Sequence, residues 1–432
     1  MDIAQQAILM LLGVFFVLLI SGTPIAIVMV LAALVSIMPF IPLDSSIFIA
    51  SQKIFAGLDS FALIALPFFI FAGNLMNRSG VAIKLIEFSK LLVGFIPGAL
   101  ALTNILGNMI FGAISGSAIA SATAMGSTLG SYQRKEGYDP AFAAATNIAS
   151  APTGMLIPPS GLFIILSLVS GSSISALFMA GYLPGILMGI ACMLVATYYA
   201  KKNTYPVTNF PGWKAAARIT LEAIPVLSMV IVVMGGILSG IFTATEASAV
   251  ASLYSIILAL CYRNNTIQDY WQVVIDTVRG SIPVLFMIAA SGIMSWSFAF
   301  TGIPDLVSEF LGAIPNPILV LLLINIMLLF IGTFMDAAPA VLIFTPILLP
   351  VAKAMGIDPI HFGVIMVLNL SIGIITPPVG TLLFAGSAVG GVPVEAVIKK
   401  LIPYFVALFV VLMLVTFIPS LSMWLPQLFG LV

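Results

Sequence analysis

The stretch Ile157-Pro158-Pro159-Ser160-Gly161 returns, with Pro377 lying 219 residues beyond Pro158, as Thr376-Pro377-Pro378-Val379-Gly380, and each copy interrupts a long apolar run. In hydrocarbon every backbone N–H and C=O must find a partner. A Pro-Pro-x-Gly break at membrane depth is therefore tolerated only where the freed groups line a cavity or an ion site. Two such breaks in corresponding positions are what a transporter built from two repeats looks like.

Composition agrees with a membrane origin. The chain is 61% hydrophobic and 7% charged, its mean hydropathy is +1.23, and apolar runs near 20 residues recur, which reads as an all-α polytopic membrane protein. A membrane β-barrel would show alternating segments of about ten residues, and none of the runs alternates. Formal net charge is zero, so nucleic acid is not an implied partner. Cys192 and Cys261 lie in apolar segments, where a thiol packs rather than pairs. The first apolar run starts at Ala4 behind Asp2 with no basic n-region, and reads as a helix rather than a removed signal peptide.

Matching the halves at offsets near 219 aligns more than the prolines. Ser21-Gly22 meets Ser239-Gly240, Pro67 meets Pro283, Asp139-Pro140 meets Asp358-Pro359, Gly171 meets Gly390, and Pro184 meets Pro403. We place repeat one at 1–203, a cytoplasmic linker at 204–218 and repeat two at 219–432. Short loops rich in Lys and Arg stay in the cytoplasm. The segment 78–90 holds Arg78, Lys84 and Lys90 whereas its counterpart holds Asp305 and Glu309, and the loop 39–59 holds Asp44 and Asp59 with Lys53 whereas its counterpart holds Arg263 and Arg279. Opposite bias in matching loops makes the repeats inverted.

A path consistent with inversion has scaffold crossings near 5–20, 24–38 and 60–77, an arm at 78–90, a re-entrant hairpin at 92–133 turning at Gly112 to Ser117, a broken helix at 140–170 and a helix at 176–200. Repeat two follows with helices near 223–238, 244–261 and 281–299, an arm at 303–312, a hairpin at 316–353 turning at Gly332 to Asp336, a broken helix at 360–391 and a helix at 402–418. Both termini then face outward, and Lys353 is the one discordant charge.

Unwound backbone offers carbonyls to Na⁺, and half-helix N-termini offer N–H groups to a carboxylate. Small hydroxyls and amides beside open carbonyls suit a hard cation. We therefore assign Ser115, Ser117, Asn147, Pro158, Gly332, Thr333, Asp336, Thr376 and Gly380 to Na⁺, and Gly116, Ser160, Asn369 and Thr381 to an organic acid. Asp336 stands out, because a carboxylate between apolar flanks needs a cation or a proton. Glu246 reads as a capping-box partner of Thr243, and His361, the only histidine, as structural. No Lys or Arg falls in either tip or break, so Na⁺ must supply the countercharge and thereby couple ion to substrate. A phosphate loop is missing, and neither a histidine-based site nor an acidic dyad is available for hydrolysis, so an enzyme is not expected.

These residues resemble the large membrane subunit of tripartite ATP-independent periplasmic (TRAP) transporters over essentially the whole chain. The likeness rests on the Gly112 to Gly126 run, Ile157-Pro158-Pro159-Ser160, Gly240 to Ala247, Gly332-Thr333-Phe334-Met335-Asp336 and Ile375-Thr376-Pro377-Pro378-Val379-Gly380; Ala244 stands where the family commonly has Pro. The resemblance implies an elevator of the ion-transporter fold in the bacterial inner membrane, importing C4-dicarboxylates or sialic acid with Na⁺. It also implies a small four-helix membrane subunit and a periplasmic substrate-binding protein as partners. A stand-alone divalent-anion symporter of the same fold is the alternative.

Overall fold

The computed structural model describes residues 3–263 and 265–432, so the flank at Asp2 lies outside the described residues. Among the described residues every regular element is helical. The first half contains α1 (Ile3–Ile20), α2 (Ile25–Ile37), α3 (Leu43–Leu58), α4 (Ala65–Arg78), α5 (Val81–Val93), α6 (Ala99–Ser115), α7 (Ala118–Lys135), α8 (Pro140–Ser150), α9 (Thr153–Leu156), α10 (Gly161–Ser170) and α11 (Ile174–Lys202). The second contains α12 (Trp213–Leu238), α13 (Ala244–Tyr262), α14 (Ile267–Thr301), α15 (Ile303–Gly312), α16 (Pro317–Phe334), α17 (Ala337–Ala354), α18 (Pro359–Gly373), α19 (Thr381–Gly390), α20 (Val394–Phe417) and α21 (Ser420–Leu428). Among the described residues, eight helices are long and apolar enough to cross a membrane, or nine if the bent α8–α10 segment counts as one span. Large side chains such as Ile20, Phe48, Phe55, Leu194 and Ile231 stand exposed on the bundle. Such a surface has its solvent in lipid rather than water.

Local chemistry explains where these elements start. The matched Asp-Pro pairs are helix starts: Asp139 Oδ1 accepts from Ala141 N at 2.9 Å and Asp358 Oδ1 from Ile360 N at 2.7 Å, each with proline in the first turn, where its missing N–H is harmless. Thr243 and Glu246 form the expected capping box on α13, with Thr243 N donating to Glu246 Oε2 at 2.8 Å. Both Pro-Pro pairs end a helix and carry a cis bond.

Four details differ from the sequence expectation. The loop 39–59 contains helix α3, an amphipathic element with Ser46 and Ala50 turned inward and Phe48 and Phe55 outward. Its counterpart runs unbroken into the next crossing as the 35-residue α14, so Arg279 sits within a helix rather than in a loop. Helix α11 reaches Lys202 and α12 starts at Trp213, which shortens the linker to 203–212. A last short helix, α21, packs back on α11. The loops were masked by polar residues on one face of a helix, which resemble loop composition when periodicity is not followed.

The halves complete each other. Helix α2 packs on α14 and α13 on α4; α7 packs on α19 and α17 on α10; α8 packs on α20 and α18 on α11. Each contact thus has a partner with the halves exchanged. Helices α1–α4 and α12–α14 pack mainly on one another, as do the hairpins and broken helices, while α5 joins α12 to α6 and α15 joins α1 to α17.

Inside the second group, two glycine pairs set how closely hairpin and broken helix approach. A Cβ on Gly112 of α6 would lie 2.5 Å from Gly154 Cα, and one on Gly332 of α16 would lie 2.9 Å from Gly373 Cα. In membranes, where lipid is as apolar as the helix surface, such close backbone packing is a principal source of association. Gly112→Ala is expected to destabilise the chain by about 1–3 kcal/mol, the cost of overpacking, whereas Gly235→Ala, with open space around its Cβ, costs little. Thermal unfolding in detergent checks this, and equal melting of the two variants would refute the packing role of the glycine pair.

Candidate functional site

The two hairpin tips and the two breaks meet around one cavity. Helix α6 ends at Ser115, and Gly116 turns the chain with φ +61° so that Ser117 can cap α7, its Oγ accepting from Ala120 N at 3.3 Å. A Cβ on Gly116 would lie 3.4 Å from Pro159 O and 3.5 Å from Gly161 N, so the first tip rests directly on the first break. At the second tip the backbone N–H of Gly380 donates to Thr333 O at 2.9 Å, and Asp336 caps α17 by accepting from Ala337 N at 2.9 Å. The carbonyls of Thr376 and Ile374 close in on Gly380, 3.0 and 3.1 Å from where its Cβ would stand. A side chain there would fill this cluster of carbonyl oxygens, and Gly380 also needs its φ of +53°.

The cavity has a volume of about 350 Å³. Ser115, Gly116, Ser117, Pro159 and Gly161 line it from the first half, and Asp336, Ala337 and Ile374 from the second. Its opposite wall is the face of α4 and α14 that carries Asn74, Asn77, Asp276 and Gly280. Among the described residues, Asp336 and Asp276 are the only charged groups in the lining, and both are acidic. A carboxylate cargo would therefore need a cation beside it.

The remaining assigned residues sit behind this surface. Ser160 is buried, with Oγ donating to Met155 O at 2.6 Å, and Thr376 donates to Ile372 O at 2.7 Å. Asn147 lies deeper than expected: its Oδ1 accepts from Asn108 Nδ2 at 3.0 Å and its Nδ2 donates to Ala122 O at 2.8 Å, so its amide is engaged by protein and joins α6, α7 and α8. Asn369, one turn nearer the break of the other half, makes a similar amide pair, donating to Asn325 Oδ1 at 2.6 Å, while its own Oδ1 is buried without a partner among the described residues. The Thr381 hydroxyl is likewise buried and unpartnered. Pro158 lies in the break beside the tip-contacting Pro159.

Asn108 and Asn325 were not singled out by sequence reasoning. Their signal is nonetheless present, because a polar amide inside an apolar run one or two turns before a tip glycine is costly unless paired. His361 is buried and its Nδ1 shares a proton with Ser422 Oγ at 2.7 Å, a contact between α18 and α21. No group of three His, Cys, Asp or Glu side chains is placed to hold a metal among the described residues. Away from the cavity, Lys400 Nζ pairs with Asp139 Oδ2 at 2.7 Å; burial pushes the Asp139 carboxyl up, but the Lys400 ammonium and the Ala141 N–H outweigh it and hold it below the usual carboxylate range.

A family model described as tripartite ATP-independent periplasmic transporter, DctM component, matches residues 12–421. The uncharacterized protein YgiK of Salmonella typhimurium is 47% identical over 98% of this chain and 98% of its own. The sialic acid TRAP transporter large permease protein SiaM of Vibrio cholerae is 38% identical over 95% of this chain and 96% of its own. The C4-dicarboxylate TRAP transporter large permease protein DctM of Pseudomonas aeruginosa is 38% identical over 88% and 89%. Among solved structures, the YdaH transporter of Alcanivorax borkumensis superposes with a TM-score of 0.62 at 14% identity, covering 87% of this chain and 88% of that one, a likeness of fold alone.

An unpartnered buried hydroxyl costs a folded chain stability. Thr381→Val, which keeps the shape and removes that hydroxyl, is expected to leave thermal stability equal or raise it by about 1 kcal/mol. A clear loss of stability would show that the hydroxyl serves the fold rather than a ligand.

Proposed function

The chain belongs to the DctM component family of tripartite ATP-independent periplasmic transporters, and we propose that it carries an organic acid inward across the cytoplasmic membrane of a bacterium, driven by Na⁺, through an elevator movement. It is the large permease subunit of such a system and a multi-pass membrane protein. The observation that carries the proposal is the cavity in which both tips, the first break and Ile374 before the second face one wall of α4 and α14.

Na⁺ is supported by the chemistry of the donors. The carbonyls around Gly380 with Thr333 at the second break, and the Ser115 and Ser117 hydroxyls with the Asp336 carboxylate at the cavity, are oxygen donors of the kind a hard cation takes. With no basic residue in the lining, a bound cation also supplies the positive charge that an acid requires. Ion and acid then raise each other's affinity through one coupling free energy. Pro158, Gly332 and Thr376 contribute backbone at the same places. For the acid, Gly116 lines the cavity, Ser160, Asn369 and Thr381 support the breaks from behind it, and the first-turn N–H groups of α10 and α19 suit its carboxylate. The acid is of the C4-dicarboxylate or sialic acid class, by analogy with the relatives that carry those names.

The elevator reading rests on the division of the molecule. One group of helices holds both tips and both breaks, and the other offers a wall along which that group can slide. The exchanged contacts between the halves support an inverted repeat. Orientation follows from charge. Arg78 pairs with Asp269 at 3.7 Å, Lys84 lies 3.7 Å over the Tyr262 ring, Arg134 donates to Gly390 O at 3.3 Å and Lys400 pairs with Asp139, so these basic segments share one end of the bundle. By the positive-inside rule that end is cytoplasmic, which puts both termini outside. A small four-helix membrane subunit and a periplasmic binding protein complete the system as partners, with the binding protein meeting the outer end.

Asp336→Asn, which keeps the cap on α17 and removes the charge, is expected to lower Na⁺-dependent uptake at least roughly tenfold, the scale of losing one charged ligand interaction. Uptake into proteoliposomes of succinate, N-acetylneuraminate and related acids, with the binding protein outside, measures it; an unchanged rate with unchanged Na⁺ dependence would sink the ligand assignment. Orientation is checked separately in a variant lacking Cys261. A cysteine replacing Glu309 should react with an impermeant thiol reagent from outside and one replacing Asn203 should not, and the opposite labelling would reverse the assignment.

A further inference from the structure

We propose that Asp276, on the wall of the cavity that belongs to α14, weakens the hold on an anionic cargo on the inner side only and so speeds its release; this rests on the reading of the chain as a Na⁺-driven carboxylate importer. Asp336 and Asp276 do not share the same fate in that reading. Asp336 caps the tip of the sliding group and travels with the ion that neutralises it. Asp276 stays with α14.

Asp276 has no cation to answer it. Its Oδ1 accepts from Gln272 Nε2 at 2.9 Å, a neutral partner, and it takes part in no ion pair among the described residues. Arg78, the nearest base along the adjoining α4 end, is engaged with Asp269, and Arg279 does not line the cavity. Beside Asp276 the wall presents the amides of Asn74 and Asn77, of which Asn74 Nδ2 donates to Thr277 Oγ1 at 3.2 Å. The stationary wall is thus polar and negative at one level only. That level lies nine residues into α14, roughly 14 Å along its axis from Ile267, close to the end that carries Arg78 and Asp269.

A second negative charge several ångströms from a carboxylate, across a wet cavity, shifts affinity by roughly two- to tenfold. The tips share the cavity with Asp276 in this arrangement, and in the elevator reading they leave it behind when they slide outward. Only a difference in affinity between two states can bias them. Asp276 supplies such a difference for the acid. It alters the rate of release and not the final accumulation ratio, which coupling to Na⁺ sets.

The test compares wild type, Asp276→Asn, Asp276→Glu and Gln272→Ala in proteoliposomes with the binding protein outside, the probe being the acid that wild type accumulates, beginning with succinate. Internal probe at graded concentrations inhibits uptake, and the half-saturating internal concentration is read beside the external one. Asp276→Asn should lower the internal value two- to tenfold, leave the external value unchanged and make uptake more sensitive to preloaded acid, while Asp276→Glu keeps wild-type behaviour. An unchanged internal value, equal shifts on both sides, or a change confined to the response to internal Na⁺ overturns the proposal. Wild-type uptake that ignores Na⁺ overturns the parent reading instead, and the internal-to-external ratio in Asp276→Asn still decides whether the aspartate acts on one side.

Discussion

Backbone groups freed at membrane depth must be answered, and the rest of this structure depends on how that is done. The two Pro-Pro breaks each strip a helix of donors and leave carbonyls bare. The protein answers some of them internally, as where Thr333 O accepts from Gly380 N. Ile374 O likewise accepts from Leu382 N at 3.1 Å, and it and Thr376 O stand close to a glycine that has no side chain to fill the space. The proposed cation would find its oxygen donors where a helix is left unfinished.

Holding a hairpin tip against such a break requires backbone to touch backbone. That is why Gly112 meets Gly154 and Gly332 meets Gly373, and why buried amide pairs, Asn108 with Asn147 and Asn325 with Asn369, sit one or two turns below each contact. The glycines allow the approach and the amides fix its register, since an amide shifted from its partner would be buried unsatisfied. Function inherits this geometry. The tip serines and Asp336 reach a shared cavity only because the hairpins are pinned where the helices are broken.

Much of this was legible beforehand because it is local. Asp139-Pro140 and Asp358-Pro359 announce helix starts, Thr243 with Glu246 announces a capping box, and the tips and breaks are visible as runs of Gly, Ser, Thr and Pro in apolar surroundings. Other features were not. Helix α3 hides in a loop of mixed composition, α14 continues where its counterpart breaks at Asp59-Ser60, and Asn147, which reads as an open ligand, turns out to be engaged by Asn108. In each case the deciding partner is remote in the chain or the polar pattern serves two readings equally.

The amino-acid sequence by itself determined that this chain lives in a membrane, that its helices break twice at matched places, and that the tips and breaks carry oxygen donors without basic residues. Those properties follow from hydropathy, turn chemistry and proline, which act within a few residues. Only the tertiary structure decided that both tips open on the same cavity, that α4 and α14 form its far wall, and that Asp276 shares it with Asp336. These depend on packing between segments remote from one another in the chain, where a side chain's neighbours are chosen by the shapes of whole helices and leave no mark in the local pattern.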